Sequence, residues 1–187
     1  MMFEKIIIDT DVCIKLGSSE KYFFLQQLTP QLSVTSYIHQ CVYNEIMMTP
    51  SIKKQLHNLI NDGFLKIVDD SNLTSSEKIV YNAIYRKLSK VMMNPKKPRK
   101  NKGETSSLAM AKIMNIPIFF SDESRLQEIV DRNLNTGIDD IKCVRIVDVI
   151  RMIKDEEIEG FTRKQAKAMW CMSGKNKEHF DKDIWAL

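Results

Sequence analysis

The sequence predicts an α/β protein: a three-layer α/β/α sandwich around a mainly parallel sheet, with a C-terminal helical extension. Short apolar segments alternate along the chain with longer segments of helical periodicity, which is the order that the crossover helices of a parallel sheet require. Of the 187 residues, 43% are hydrophobic and 28% are charged, which is typical of one globular domain with a small addition. We place the main domain at residues 1–155 and the extension at residues 156–187.

Five segments are predicted to be strands because they are short, apolar and bounded by turn or capping residues. The first, residues 6–8, is three consecutive isoleucines and is expected to be a buried central strand. The predicted strands are residues 6–8, 32–35, 64–68, 117–120 and 141–146.

Helices are predicted between the strands from apolar periodicity and from start and stop residues. Ser36 is expected to cap a helix that Pro50 ends, and a helix before Pro30 is expected to stop ahead of that proline. The predicted helices are residues 12–16, 22–28, 36–48, 52–60, 75–93, 103–115, 124–134, 148–155 and 163–172. The long helix at residues 75–93 is expected to bury a stripe made of Ile79, Ala83, Ile84, Leu88 and Val91.

Charge and cysteine content exclude some classes of protein. The formal net charge is a mild +4, and no run of about 18 apolar residues is present, so no membrane span is expected. The four cysteines are scattered, without the spacing of a zinc site or the density of a disulfide scaffold. The first residues lack the basic flank and apolar core of a signal peptide. We therefore expect a cytoplasmic protein.

Four acidic residues stand beside predicted strands or at a helix start. Asp9 follows the first strand, and Asp122 follows the fourth. Glu45 lies in the helix after the second strand, and Glu104 lies in the first turn of a later helix. Open α/β sheets bind their ligands at the carboxyl ends of the strands, so we expect these four side chains to converge there.

In chain order these motifs resemble a PIN domain: a strand before Asp9-Thr10-Asp11, Glu45 on a helix, Gly103-Glu104 opening a helix of small residues, and a strand before Ser121-Asp122. The resemblance covers residues 3 to about 150. It implies a metal-dependent endoribonuclease, and many bacterial members of the family are toxins of toxin–antitoxin pairs. It also implies that Asp9, Glu45, Glu104 and Asp122 form the catalytic and metal-binding site, with Asp11 capping a helix or facing solvent.

The chemistry of phosphodiester hydrolysis fits such a site. The reaction needs an activated water and relief of negative charge on the phosphoryl group, and Mg²⁺ or Mn²⁺ on oxygen ligands supplies both. We expect Asp9 and Asp122 to be the primary ligands, with Glu45 and Glu104 completing the site directly or through water. Glu123 is an additional candidate ligand.

Hydroxyl and basic residues are expected to support the acids. Thr10 and Ser121 are predicted to orient a carboxylate or the attacking water. A proline-broken basic loop before the Glu104 helix is expected to hold RNA phosphates, although a solvated loop explains it equally well. The basic residues of this loop are Lys96, Lys97, Arg99, Lys100 and Lys102.

Protein partners are expected from two features. The extension carries aromatic side chains that need a surface, and packing on the main domain explains them best, with a homodimer or another protein partner as the second explanation. The toxin resemblance implies an antitoxin.

Two other functions stay open at this point. A haloacid-dehalogenase-like phosphatase opens with a similar motif, in which Asp9 would be the nucleophile, Asp11 the general acid, and Thr35 or Ser36 the phosphate binder. That hypothesis also needs an acid pair at a later strand end, which Ser121-Asp122-Glu123 partly matches, but it gives Glu45 and Glu104 no role. The second alternative is a catalytically silent PIN-like module that binds nucleic acid or regulates a partner.

Overall fold

A single parallel sheet forms the centre of the molecule. The computed structural model describes residues 2–94, 96 and 100–186. Its strands are β1 (Phe3–Ile8), β2 (Ser33–His39), β3 (Leu65–Val68), β4 (Ile118–Phe120) and β5 (Lys142–Val144). All neighbouring strands pair in parallel, in the order β3-β2-β1-β4-β5. The predicted α/β class with a parallel sheet is confirmed.

Helices connect the strands and follow the last one. They are α1 (Thr10–Gly17), α2 (Phe24–Leu32), α3 (Gln40–Ile46), α4 (Pro50–Asn61), α5 (Ser75–Met92), α6 (Lys102–Ile113), α7 (Leu126–Asn133), α8 (Ile146–Lys154), α9 (Arg163–Met172) and the short α10 (Lys177–His179). A 3₁₀ turn (Asp70–Asn72) precedes α5, and a π-helical turn (Phe180–Ile184) follows α10. Within the described ranges, every helix is too short or too polar to span a lipid bilayer.

The isoleucines of β1 show how the layers are organised. Side chains alternate between the two faces of a strand. Ile6 and Ile8 belong to a core shared with α1, α2, α3, α4, α8 and α9, whereas Ile7 belongs to a second core shared with α5, α6 and α7. Helices therefore cover both faces of the sheet, and each buried isoleucine contributes about 2–3 kcal/mol by leaving water.

The C-terminal segment packs on the first of these two cores. Ala166, Met169 and Phe180 are fully buried there together with residues of α1 and α8. Helix α9 begins at Arg163, as the sequence predicts, and a capping box formed by Thr162 and Gln165 stabilises its start. The aromatic side chains of this segment are thus partly or fully buried against the main domain.

The second strand is longer than predicted, and the helix after it starts later. Ser36 lies inside β2, where it pairs with Ile6 of β1 and Leu65 of β3, so it cannot cap a helix. Pairing with β1 continues to Ile38, and pairing with β3 extends the strand to His39, whose Nδ1 accepts a hydrogen bond of 3.1 Å from the Cys41 N–H at the start of α3. A histidine in place of the usual Ser, Thr, Asp or Asn is an N-cap that sequence patterns do not predict.

Two helices also differ from prediction. Helix α2 continues through Pro30 for two more residues and buries Leu32. In α5 the buried residues are Tyr81, Leu88 and Met92, whereas Ile79 is 72% exposed. The buried Tyr81 stacks on the His39 ring, with centroids 6.5 Å apart, so the inward face of α5 differs from the predicted stripe, which shares only Leu88 with it.

The order of the strands creates a crevice between β1 and β4. The chain leaves β1 toward β2 on one side and returns to β4 on the other, which makes this the topological switch point of the sheet. The pairing continues one residue past β1, because the Asp9 N–H donates to Phe120 O at 3.0 Å. Asp9 and Ser121 therefore lie next to each other where ligands bind in such sheets.

Candidate active site

A cavity of about 320 Å³ lies at this carboxyl edge of the sheet. Acidic side chains dominate its wall, with a lysine, an asparagine and a glycine from the segment that leads into α6. The acidic lining residues are Asp9, Asp11, Glu45, Glu104 and Glu123. The structure thus brings together three of the four acids predicted for the site, together with the additional candidate Glu123.

Asp9 is the most deeply buried of these acids, at 5% exposure. Its Oδ2 accepts a hydrogen bond of 3.1 Å from the Ser121 hydroxyl. Its Oδ1 is buried and has no hydrogen-bond partner among the described residues. Burial, and then the nearby Asp11 carboxylate, raise the pKa of Asp9 to about 7, against smaller opposing effects of hydrogen bonds from the Thr10 backbone and from Ser121.

Glu104 lies in the first turn of α6, where the helix dipole favours a negative charge. Burial outweighs that effect, and together with the charges of Asp9, Glu123 and Asp11 it raises the pKa of Glu104 to about 8. Burial and the neighbouring negative charges therefore favour the protonated forms of Asp9 and Glu104, and a bound cation would favour the ionised forms.

Glu45 is positioned by Thr10 and by a close approach of α6. The Thr10 hydroxyl donates a hydrogen bond of 2.8 Å to Glu45 Oε2. Gly103 leaves room for this pair, since a Cβ at that position would lie 3.1 Å from Glu45 Oε2, 3.2 Å from Thr10 Oγ1 and 3.0 Å from Val42 Cγ2. Thr10 and Ser121, the two hydroxyl residues predicted to orient the acids, each bond one carboxylate of the site.

Asp11 and Glu123 complete the acidic wall. Asp11 is held from outside the cavity, because its carboxylate accepts hydrogen bonds from Lys15 Nζ at 3.2 Å and from the Asp122 N–H at 3.4 Å. The prediction that Asp11 caps a helix or faces solvent did not include this position in the cavity wall. A second acid two residues after Asp9, in the first turn of α1, was the signal for it.

Asp122 is not among the residues that line the cavity, so the structure does not place it with the other predicted acids, and its role as a primary metal ligand stays a prediction. Its carboxylate is 2% exposed and pairs with Lys15 at 3.0 Å, with Lys175 at 3.1 Å and with Arg145 at 3.9 Å. Glu123, the next residue, lines the cavity instead.

The basic loop is only partly described. Lys100 lines the cavity, and Lys96 and Lys102 are exposed but do not line it. Lys97 and Arg99 lie outside the described residues. Asn101, which follows Lys100, has a positive φ of 63° and donates from its side chain to Met92 O at 2.9 Å, tying the end of this loop to α5.

The phosphatase hypothesis loses its phosphate binder in this fold. Thr35 and Ser36 pair with Lys5 and Ile6, three or four residues before Asp9. At about 3.3 Å per residue they lie roughly 10 Å from the strand end where Asp9 is placed. The buried Ser36 hydroxyl instead bonds the Ser33 hydroxyl at 2.8 Å.

A metal ion in this cavity would need donor atoms of the right type and in the right places. Across residues 2–94, 96 and 100–186, no three His, Cys, Asp or Glu side chains form a group that could hold an ion as they are placed. All the donors are oxygens, as Mg²⁺ and Mn²⁺ prefer, and Asp9 Oδ1 lacks the partner that an ion would supply. The chemistry of the residues fits such an ion.

Comparison with known proteins gives little further information. No family model matches the chain, and no curated protein matches it. Among solved structures, the crystal structure of VapBC2 from Rickettsia felis bound to a DNA fragment from their promoter is similar over 75% of this chain and 98% of that one, with 13% sequence identity and a TM-score of 0.45. Similarity at this level does not extend to activity.

Proposed function

We propose that this protein is a PIN-like endoribonuclease that hydrolyses RNA phosphodiester bonds with Mg²⁺ or Mn²⁺. The observation that supports the proposal most strongly is the unpartnered, buried Oδ1 of Asp9 in a cavity that four further carboxylates line. A buried carboxylate oxygen without a donor is costly, and a divalent cation is a partner that removes this cost. When bound, the ion supplies a water of lowered pKa and neutralises charge on the phosphoryl group.

The residues of the chain have distinct parts in this proposal. Ser121 holds Oδ2 of Asp9, which leaves Oδ1 for the ion. Thr10 orients Glu45 by a similar hydrogen bond. Glu104, whose pKa is raised to about 8, would have to be ionised to help hold the ion, so we expect ion binding below that pH to release protons.

RNA is the proposed polyanion because a lysine stands in the wall of an otherwise acidic cavity. Lys100 lines it, and Lys96 and Lys102, which are near Lys100 in sequence, are exposed and add positive charge to the same part of the chain. Phosphates held by these lysines would lie beside the carboxylates, whose negative charge alone would repel them. An antitoxin, another protein partner, a homodimer and a cytoplasmic location stay predictions.

Cleavage of an end-labelled single-stranded RNA tests the proposal. We expect cleavage with Mg²⁺ or Mn²⁺ and none with EDTA, and a loss of about 100-fold or more in Asp9→Asn and Glu104→Gln. Glu159→Gln, which neutralises an exposed acid outside the cavity, is the matched control. Cleavage that survives EDTA or Asp9→Asn contradicts the proposal. Binding of RNA without cleavage by the unmodified protein would favour the silent module, and a trapped phosphoaspartate at Asp9 would favour the phosphatase.

A further inference from the structure

One buried carboxylate outside the cavity connects four parts of the chain. Asp122 follows β4, and its carboxylate pairs with Lys15 of α1, with Arg145 before α8, and with Lys175 after α9. Arg145 also donates from Nη2 to the Asp122 carbonyl oxygen at 3.4 Å. At 2% exposure this carboxylate depends on its cations, because a buried charge without partners is strongly destabilising.

Asp122 lies one hydrogen bond away from the acidic wall. Its N–H donates to Asp11 Oδ1 at 3.4 Å, and Lys15 Nζ bridges the two carboxylates at 3.0 and 3.2 Å. On either side in sequence stand Ser121, which bonds Asp9, and Glu123, which lines the cavity. Whatever fixes Asp122 therefore also fixes the turn that carries these two residues.

Lys175 is itself held in place by the C-terminal segment. Gly174, with a φ of +77°, turns the chain after α9, and the Lys175 N–H donates to Trp170 O at 3.4 Å. The ammonium group lies 5.1 Å from the centre of the Trp170 ring, and the indole N–H of Trp170 donates to Asn176 O at 2.7 Å. This arrangement directs Lys175 to Asp122, where its Nζ lies 3.1 and 3.3 Å from the two carboxylate oxygens.

We propose that Lys175 is a positioning residue for the acidic cavity: by pairing with Asp122 it fixes the turn of Ser121 and Glu123, and so makes the C-terminal segment part of the active site. The inference deepens the proposed function and rests on it for its catalytic consequence. Lys175 does not line the cavity, so it acts through Asp122 and not on the substrate.

The test compares Lys175→Met with Lys175→Arg and with Lys167→Met in the full chain. Lys167 is a matched control because its side chain is 24% exposed, against 22% for Lys175, and pairs with Asp181 in the same segment without contacting Asp122. Hydrogen exchange of the amides of residues 121–123 is measured without RNA or metal, and cleavage kinetics are measured with both. Lys175→Gln replaces Lys175→Met if the methionine variant does not fold.

We expect exchange at residues 121–123 to rise at least about tenfold in Lys175→Met and to stay unchanged in Lys167→Met. We expect kcat to fall about 10- to 100-fold with KM nearly unchanged, and Lys175→Arg to restore most of it. Unchanged exchange in Lys175→Met, or an equal loss of kcat in Lys167→Met, overturns the inference. If the unmodified protein does not cleave RNA, the proposed function fails, and the exchange measurement still decides whether Lys175 fixes the turn.

Discussion

The hydroxyl of Ser121 donates a hydrogen bond of 3.1 Å to Oδ2 of Asp9, joining the ends of two adjacent strands across 112 residues of sequence. This bond satisfies one oxygen of a buried carboxylate and leaves the other without a partner among the described residues. We expect a buried carboxylate with one unpaired oxygen to bind a cation, and four more acids line the same cavity.

Removing this bond should impair activity more than it impairs folding. Ser121→Ala leaves Asp9 Oδ2 unpaired, and we expect a 10- to 100-fold loss of kcat with a loss of about 1 kcal/mol in the free energy of unfolding. Ser107→Ala is the matched control, since Ser107 is also buried but its hydroxyl has no hydrogen-bond partner in the described chain. Equal kcat values for the two variants would mean that the Ser121 bond does not orient Asp9.

The close approach of α6 to Glu45 makes a second prediction. Gly103→Ala would place a Cβ about 3.1 Å from Glu45 Oε2, and we expect the crowding to cost about 1–3 kcal/mol of stability and to reduce cleavage. Combining Gly103→Ala with Glu45→Ala should recover part of this cost, because the smaller side chain removes one of the contacts. If the losses in the free energy of unfolding, measured by urea, are additive in the double variant, the contact between Glu45 and position 103 does not affect stability.

Stability of the metal-free protein should fall as the pH rises from about 4 to about 8. The folded-state pKa values of Asp9, about 7, and Glu104, about 8, lie above their ordinary values of 3.8 and 4.5, so in this window the folded state binds more protons than the unfolded state. The slope is at most about 1.4 kcal/mol per pH unit for one proton, and it is negative. Urea unfolding in EDTA at several pH values measures it.

Asp9→Asn serves as the reference for that measurement. The substitution removes one of the two acids with raised pKa values, so the free energy of unfolding of the variant should fall less between pH 4 and 8 than that of the unmodified protein. Adding Mg²⁺ should offset the fall in the unmodified protein, because the ion binds the ionised folded state. A flat or rising stability curve for the metal-free protein would contradict the raised pKa values.

The lysines beside the cavity should set the salt dependence of RNA binding. Replacing Lys96, Lys100 and Lys102 by alanine removes up to three phosphate contacts, so the slope of log Kd against log salt should decrease by up to about 2. Replacing Lys164, Lys177 and Lys182, three exposed lysines of the C-terminal segment, removes the same charge and serves as the control. Similar slopes for the two triple variants would exclude a specific role for the loop.

The sequence predicted those features of the fold and the site that depend on one short segment alone. The isoleucines before Asp9 predict a buried strand, and a strand end in a parallel sheet predicts a ligand site, which is where the structure places Asp9. The hydroxyls of Thr10 and Ser121 were predicted to orient the site because each residue is next to a predicted site acid in the sequence, Asp9 and Asp122 respectively.

The sequence was less informative where distant segments compete for the same residue. Asp122 and Glu123 are adjacent acids, yet Glu123 lines the cavity and Asp122 pairs with Lys15, Arg145 and Lys175, which come from distant parts of the sequence. In α5, the buried Tyr81 likewise stacks on the ring of His39, more than 40 residues away in sequence. Such choices depend on tertiary contacts that no local pattern contains.

The central claim is that the acids of this cavity share a divalent cation, and anomalous diffraction from crystals soaked in Mn²⁺ tests it most directly. We expect a peak in the cavity at about 2.0–2.4 Å from Asp9 Oδ1, with Glu45, Glu104 or Glu123 coordinating directly or through water. An empty cavity at saturating Mn²⁺, or an ion bound by Asp122 in place of Asp9, would contradict the account.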